Sequence, residues 1–125
     1  IKTYNWNNKK FTSQMLGRYQ PFHEGHLKLF EKILVISGQV CIQVKDVHGI
    51  GDNPFNFNKV KKIIDKKLLS DYKNRYKVIL VPNISKICYG RTVGYKFEKI
   101  VLSKKIHEIT ATKIRKKMRK ERKLK

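Results

Sequence analysis

The stretch LGRYQPFHEGHLKLF, residues Leu16–Phe30, decides the fold and marks the candidate site. A short apolar run ends at Gly17, a loop that contains Pro21 follows, and apolar side chains then recur at helical spacing. This order predicts a strand, a loop and then a helix that begins at the histidines. His23 and His26 therefore lie where a strand has ended and a helix begins.

A helix start of this kind favours the binding of anions. Its first backbone N–H groups have no partner within the helix, and the helix dipole adds partial positive charge there. Side chains three residues apart lie on one side of a helix, about 5–6 Å apart at Cβ, so both imidazoles face one ligand. Two ring N–H groups at such a helix end suit the charge of a phosphoryl-transfer transition state. Without a neighbouring carboxylate or thiolate the two histidines do not complete a metal site, so we predict no metal ligands.

Strands and helices are predicted in alternation along the rest of the chain. The patterns indicate strands at 13–17, 39–45 and 76–82, and helices from His23 or Gly25 to Val35, over 57–69 and from about Ala111. Residues 97–102 fit a short fourth strand or a helix that leads into one. Strand–helix–strand order predicts one α/β domain over 1–125, with a Rossmann-like parallel sheet, right-handed crossovers and helices on both faces. The apolar run at 78–81 does not alternate, which is typical of a strand covered on both faces.

A second candidate segment lies near the end of the chain, at 109–115. Ligands bind beyond the carboxyl ends of parallel strands, where the strand order reverses, so the chain is expected to cross back beside the first strand. The loop at 107–112 then lies next to the histidines. Thr110 or Thr112 can cap a helix start, and Arg115 follows on the same face. A hydroxyl and a forked guanidinium suit terminal phosphates, although an ordinary capped basic helix carries the same residues.

Both segments resemble motifs of one family. GRYQPFHEGH, at 17–26, is similar to the GRFQPxHxGH signature of the nucleotidyltransferase superfamily, which includes nicotinamide-mononucleotide adenylyltransferases and glycerol-3-phosphate cytidylyltransferases. ITATKIR, at 109–115, resembles the ISSTxIR motif of the same family and its GTEIR variant. The resemblance implies an enzyme that transfers a nucleoside monophosphate from a nucleoside triphosphate to a phosphorylated acceptor and releases pyrophosphate.

The resemblance assigns the catalytic role to His23 and His26, which would bind the triphosphate and stabilise the pentacoordinate phosphorus. An acceptor phosphate is already a nucleophile near neutral pH, so no general base is expected. Catalysis then depends on positioning and on stabilisation of charge.

The resemblance also implies a nucleotide-binding set. Thr112 and Arg115 would hold the β- and γ-phosphates, and Arg18 would add a further phosphate contact. Gly17 would let the base and ribose approach the first strand where a side chain would clash. Mg²⁺ is implied as the companion of ATP or CTP, with phosphates and water as its main ligands, because no pair of acidic residues marks a protein-built site.

Two softer matches favour AMP over CMP as the transferred group. NPF, at 53–55, resembles the ENPFT segment of archaeal-type nicotinamide-mononucleotide adenylyltransferases, and VPN, at 81–83, resembles their PVPD strand end. An ordinary proline turn before a helix is the alternative. The stretch that holds part of the acceptor pocket in those relatives is shorter here, so the acceptor stays open. Arg91, in a glycine-flanked loop at 89–95, can bind an acceptor phosphate or lie in solvent.

Charge is the outstanding feature of the composition. The chain has 30 basic and 9 acidic residues and a net charge of +21, which would suit nucleic acid. Most of the basic residues are lysine in a chain rich in isoleucine and asparagine, the composition of an AT-rich genome, so we do not expect a nucleic-acid partner. The charged tail at 119–125 is expected to be disordered. The alternative function is a catalytically weak nucleotide-binding module, or a regulatory module that binds nucleic acid through this tail.

The remaining expectations concern surroundings and partners. No apolar run is long enough to span a bilayer, which predicts no membrane partner. Cys41 and Cys88 match no metal spacing and indicate buried, reduced thiols in a cytoplasmic protein. The sequence leaves open whether the chain forms a homodimer.

Overall fold

The computed structural model describes residues 4–91 and 94–124 of the chain. Its elements, in chain order, are β1 (Ser13–Gly17), α1 (Glu24–Ser37), β2 (Val40–Lys45), α2 (Phe57–Tyr72), β3 (Tyr76–Val81), α3 (Lys104–His107) and α4 (Ala111–Lys120). β2 pairs in parallel with both β1 and β3, so the order of the three-stranded sheet is β1-β2-β3. This arrangement confirms the predicted α/β class with a Rossmann-like parallel sheet.

The first helix begins and ends where its sequence provides caps. His23 is the N-cap of α1 and has an extended backbone. Gly38 ends the helix with a left-handed φ of 78°, and its N–H donates to the Leu34 carbonyl at 2.7 Å. Glycine adopts this conformation without steric cost. Between the caps, α1 buries a stripe of apolar side chains that includes Phe30 and Ile33.

The core lies on one face of the sheet. Along β2, Val40, Ile42 and Val44 are buried and alternate with half-buried residues. Phe30 from α1 and Ile64 from α2 pack in the same cluster as these strand residues. Each side chain of this kind contributes about 1.5–3 kcal/mol to stability when it is fully buried. Both long helices therefore cover the same face of the sheet.

β3 is less covered than its sequence predicts. Ile79 is 40% exposed and Leu80 is 48% exposed, so the expectation of a strand covered on both faces is wrong. Ile79 is exposed because α1 and α2 both pack on the opposite face of the sheet, that of Ile42. Leu80 lies on the covered face, beside Val44, and is exposed near the end of an edge strand.

The fourth strand is not formed, although all residues at 97–102 are described. Phe97 and Val101 are 59% and 68% exposed, and only part of the segment, at Ile100, packs against the core. The Val101 carbonyl accepts a hydrogen bond from Lys32 Nζ at 2.9 Å in place of a strand partner. One turn of helix, α3, follows at Lys104–His107 and ends at the first residue of the predicted loop at 107–112; Ser103 Oγ caps it by accepting the Ile106 N–H.

The basic tail continues the last helix. α4 runs to Lys120, and Leu124 packs beside the core cluster as a half-buried residue. Disorder beyond Arg119 stays a prediction. Within the described residues, no helix is both long enough and apolar enough to cross a membrane.

Candidate functional site

The two histidines cap the helix on which they lie. His23 Nδ1 accepts the Gly25 N–H, and His26 Nδ1 accepts the His23 N–H, each at 3.0 Å. A neutral imidazole that accepts at Nδ1 carries its proton on Nε2. Both rings therefore keep an Nε2–H donor for a ligand. A Cβ at Gly25 would lie 2.7 Å from His23 Cε1, which explains why glycine stands between the two histidines.

The histidine pair is electrically neutral at neutral pH. The two rings stack with their centroids 3.8 Å apart, and Phe22 and Tyr19 pack on His26. Burial, and secondly His23, lowers the pKa of His26 to about 3. Burial, and secondly Lys67, also lowers the pKa of His23 below its usual value, although the charge of Glu24 opposes this shift. The pair thus offers N–H dipoles to an anion, whereas any positive charge that faces the anion comes from neighbouring residues.

At the end of β1, the protein's own ring occupies the space beside Gly17. A Cβ at Gly17 would lie 2.9 Å from Tyr19 Cζ. Tyr19 has a left-handed φ of 52°, is buried, and donates its hydroxyl to the Met15 carbonyl at 2.7 Å. The approach of a base and ribose to Gly17 therefore stays a prediction. Arg18 is exposed directly beyond the strand, where an anion can reach it.

Gln20 joins three segments of the chain, a role that the sequence motif does not indicate. Its side-chain amide makes two hydrogen bonds with the backbone of Phe55, at 2.8 and 2.9 Å. Its backbone carbonyl accepts a hydrogen bond from Arg115 Nη1 at 2.6 Å. A buried amide requires partners, but no local pattern indicates that these partners lie 35 and 95 residues away.

Arg115 brings the second motif to the first. Its guanidinium is buried and donates to the Gln20 carbonyl, to Asp52 Oδ2 at 2.9 Å and to Thr112 Oγ1 at 3.4 Å. The contact with Gln20 joins the two motifs three residues before His23. The proximity of the histidine rings to Thr112 and Arg115 stays a prediction. Of the two candidate caps, Thr110 caps α4, which leaves the exposed Thr112 hydroxyl in the first turn.

Asp52 is a site residue that sequence reasoning missed. It lies in the loop between β2 and α2 and forms ion pairs with Arg115 at 2.9 Å and with Arg119 at 2.5 Å. Hydrogen bonds from Arg119 and then from Arg115 lower the pKa of Asp52 to about 2. The carboxylate therefore stays ionised at any ordinary pH.

An open cleft of about 370 Å³ lies directly beside the histidines. Phe22 and His23 form one wall, and side chains from α2 and α4, including Ile63 and Ile114, form the other. Lys67 lies at the same cleft and pairs with Glu24 at 3.4 Å. The cleft is mainly apolar, with the ion pair of Lys67 and Glu24 in its lining, which suits the organic part of a small ligand.

The other candidate residues do not join this site. His48 and Arg91 are exposed in loops, and Thr92 and Val93, beside Arg91, lie outside the described residues. Cys41 is half-buried and Cys88 is exposed, both as free thiols, so the expected burial of Cys88 is wrong. Its segment has no strand or helix to pack it. Among the described residues, no group of three His, Cys, Asp or Glu side chains is arranged to hold a metal ion.

No protein-family model matches this sequence, and a search of curated proteins finds no match either. The functional argument therefore rests on the fold, the motifs and the geometry of the site.

Proposed function

We propose that this protein is a nucleotidyltransferase. It transfers a nucleoside monophosphate from a nucleoside triphosphate to a phosphorylated acceptor and releases pyrophosphate. The observation that carries the proposal is the hydrogen bond from Arg115 to the Gln20 carbonyl, because it joins the two motifs that resemble the family's signatures. Two motifs separated by most of the chain meet at the carboxyl end of β1, where parallel sheets bind ligands.

The histidines suit the transition state of this reaction. In the transfer, an acceptor phosphate oxygen forms a bond to the α-phosphorus, and the bond from that phosphorus to the bridging oxygen of pyrophosphate breaks. Negative charge grows on the oxygens around the phosphorus during this exchange. The Nε2–H groups of His23 and His26 are donors held in place by helix capping, so they stabilise this charge without reorganisation. The acceptor phosphate needs no general base.

The second motif suits the outgoing pyrophosphate. Arg115 uses three of its N–H groups in bonds to described residues and has five in all, so donors remain for phosphate oxygens. Thr112 adds a hydroxyl at the exposed start of α4, and Arg18 adds a charge at the end of β1. Mg²⁺ would accompany the nucleotide, with phosphates and water as its main ligands.

The choice of substrates is a finer proposal. AMP is favoured over CMP as the transferred group because of the NPF and VPN segments. The acceptor is a phosphorylated compound, and the sequence does not assign the rest of its structure. The cleft beside His23 is the candidate site for the organic part of one substrate, since its walls are apolar and Lys67 contributes charge. The proposed setting is the cytoplasm.

One observation favours a second candidate function, a module that binds nucleic acid. The exposed side of α4 carries Lys113, Lys116, Lys117 and Lys120. Such a module predicts binding to an oligonucleotide that weakens steeply with salt, together with no turnover of any triphosphate.

The decisive experiment uses paired substitutions of one histidine. An asparagine at position 26 keeps an acceptor near the place of Nδ1 but has no donor at the place of Nε2, whereas glutamine does the reverse. We expect His26→Asn to lower turnover by roughly 10²–10³-fold with little change in triphosphate affinity, the effect of losing one preorganised donor. His26→Gln should keep more of the turnover and lose more stability. His48→Asn, in an exposed loop, is the matched control and should change neither.

The measurement is pyrophosphate release with ATP or CTP against a panel of nucleoside monophosphates, sugar phosphates and a phosphopantetheine-like phosphate. Absence of release from the folded wild-type protein with every pair would overturn the proposal. Equal turnover of His26→Asn and the wild type would remove the histidines from the mechanism.

A further inference from the structure

Two guanidinium groups bind one carboxylate at the edge of the candidate site. Asp52 Oδ1 accepts from Arg119 Nη2 at 2.5 Å, and Asp52 Oδ2 accepts from Arg115 Nε at 2.9 Å and from Arg119 Nη1 at 3.3 Å. Forked contacts of this kind bind carboxylates and phosphates alike. The two guanidinium groups therefore form an anion site, and the carboxylate of Asp52 occupies it.

The two sides of this contact differ in how firmly they are held. The Arg115 side chain is 7% exposed and is fixed by the Gln20 carbonyl, whereas the Asp52 side chain is 45% exposed. Asp52 follows Gly49 and Gly51, which have left-handed φ values of 83° and 59° and open space where a side chain would lie. The Arg115 side chain is therefore held in the interior of the protein, whereas the Asp52 carboxylate lies on the exposed middle part of a loop.

The loop that carries Asp52 is firmly fixed at its ends. Val47 and Asn53 are buried, the Ile50 N–H donates to the Val47 carbonyl, and the Gly49 N–H donates to the Asn53 carbonyl. Asn53 Oδ1 is nevertheless buried with no hydrogen-bond partner among the described residues. A buried oxygen without a partner costs about 1–3 kcal/mol unless a water molecule or a ligand supplies a donor.

From these contacts we infer that Arg115 and Arg119 together form the site for the terminal phosphate of the triphosphate, and that Asp52 occupies this site when no ligand is bound. The inference rests on the proposed function and extends it, because Arg119 lies outside the resembling motif. A terminal phosphate has more charge and more acceptor oxygens than a carboxylate, so it displaces Asp52, and both arginines exchange the carboxylate oxygens for phosphate oxygens. Asp52 then acts as an internal competitor that lowers the affinity for triphosphate.

The test measures binding of inorganic tripolyphosphate by calorimetry at fixed ionic strength. If Asp52 occupies the site for about nine-tenths of the time, its removal tightens binding roughly tenfold. We therefore expect Asp52→Asn to bind tripolyphosphate at least threefold more tightly than Asp71→Asn, which removes the same charge from an exposed residue near the far end of α2. Circular dichroism checks that each variant is folded.

Arg119 is tested by substitution in the same assay. Arg119→Gln should weaken tripolyphosphate binding roughly tenfold, as expected for the loss of a charged hydrogen bond. Lys120→Gln, the adjacent exposed residue of α4, is the charge-matched control and should have a small effect. Arg119→Lys keeps the charge but not the fork, and it should bind with intermediate affinity.

The outcomes separate this inference from the proposed function. If Asp52→Asn binds no more tightly than Asp71→Asn, or Arg119→Gln no more weakly than Lys120→Gln, the inference is overturned even in a chain that transfers nucleotides. If binding follows the expected pattern but no triphosphate is turned over, the anion site is supported and the proposed enzymatic function is overturned. If folded wild-type protein binds no tripolyphosphate, both are overturned.

Discussion

Residues 13–81 and residues 83–124 are held in place by different kinds of contact. In the first region, β2 buries every second side chain, and Val40 and Ile42 are fully excluded from solvent. In the second region, Tyr95 is 70% exposed and Val101 is 68% exposed, and the most deeply buried side chain is a charged one, Arg115. Apolar burial holds the first region, whereas the second is attached through the polar contacts of Arg115 and through a few half-buried apolar side chains such as Ile100 and Leu124.

The difference explains how one small chain provides both a rigid support and an adaptable site. The N-terminal region positions the histidines by capping and packing, which are costly to disturb. The C-terminal region reaches the same site through Arg115 and Arg119, whose partners are a carbonyl and an exposed carboxylate. Elements held by few apolar contacts are the ones that open at low free-energy cost.

The largest effect should come from the core of the first region. Phe30→Ala removes a fully buried ring and should lower the free energy of unfolding of the whole chain by about 3–5 kcal/mol. Val101→Ala, in the second region, should change it by less than about 0.5 kcal/mol. Urea denaturation measures both. A comparable loss for Val101→Ala would show that the second region contributes to the core after all.

A smaller and local effect is expected at the point of attachment. Arg115→Gln removes the Arg115 donor from the Gln20 carbonyl and leaves Asp52 with Arg119 as its charged donor, and the loss of such a charged hydrogen bond costs about 1.5–3 kcal/mol. Hydrogen exchange should then become faster in α4 and stay unchanged in β2. Lys116→Gln, next in sequence and exposed, should leave both unchanged. If protection falls equally in α4 and β2, the two regions unfold as one unit and the contrast drawn between them is wrong.

An effect that is small for each pH unit concerns the histidines at the boundary of the two regions. The pKa of His26 is about 3 in the folded protein and 6.5 for the free side chain, so below pH 6.5 the unfolded chain takes up a proton that the folded chain does not. The free energy of unfolding should therefore fall as the pH drops from 6.5 towards 3, by at most about 1.4 kcal/mol per pH unit from this group. His23, whose pKa is also lowered, adds to the slope.

Denaturation of the wild type and of His26→Gln at pH 4, 5 and 6 measures that slope. The variant should show a shallower dependence on pH. Parallel curves would mean that His26 is as easily protonated in the folded protein as in the unfolded one.

The sequence predicts the first region well because its signals are local. The sequence patterns locate β1 at Ser13–Gly17 and the start of α2 at Phe57, and they end α1 at Val35, two residues before its observed end at Ser37. The same reasoning fails at 97–102, where a short apolar run has no neighbouring strand to complete it. It also fails for the exposed face of β3, because an apolar run does not reveal on which face the helices pack.

The site was predictable only in part, for a related reason. His23, His26 and Arg115 stand in motifs whose spacing indicates their chemistry. Gln20 and Asp52 act through partners 35 or more residues away, and no periodicity connects them. A carboxylate in a glycine-rich loop after β2, in a chain with so few acidic residues, is the signal that could have revealed Asp52.

The close contact between Gly17 and the ring of Tyr19 has a consequence for the evolution of this chain. A Cβ at position 17 would overlap the ring at 2.9 Å, and the ring is held by its bond to the Met15 carbonyl. Neither residue can therefore change freely while the other remains. Among descendants of this sequence, a side chain at position 17 should appear only together with the loss of the aromatic ring at position 19, so the two sites should be inherited as a pair.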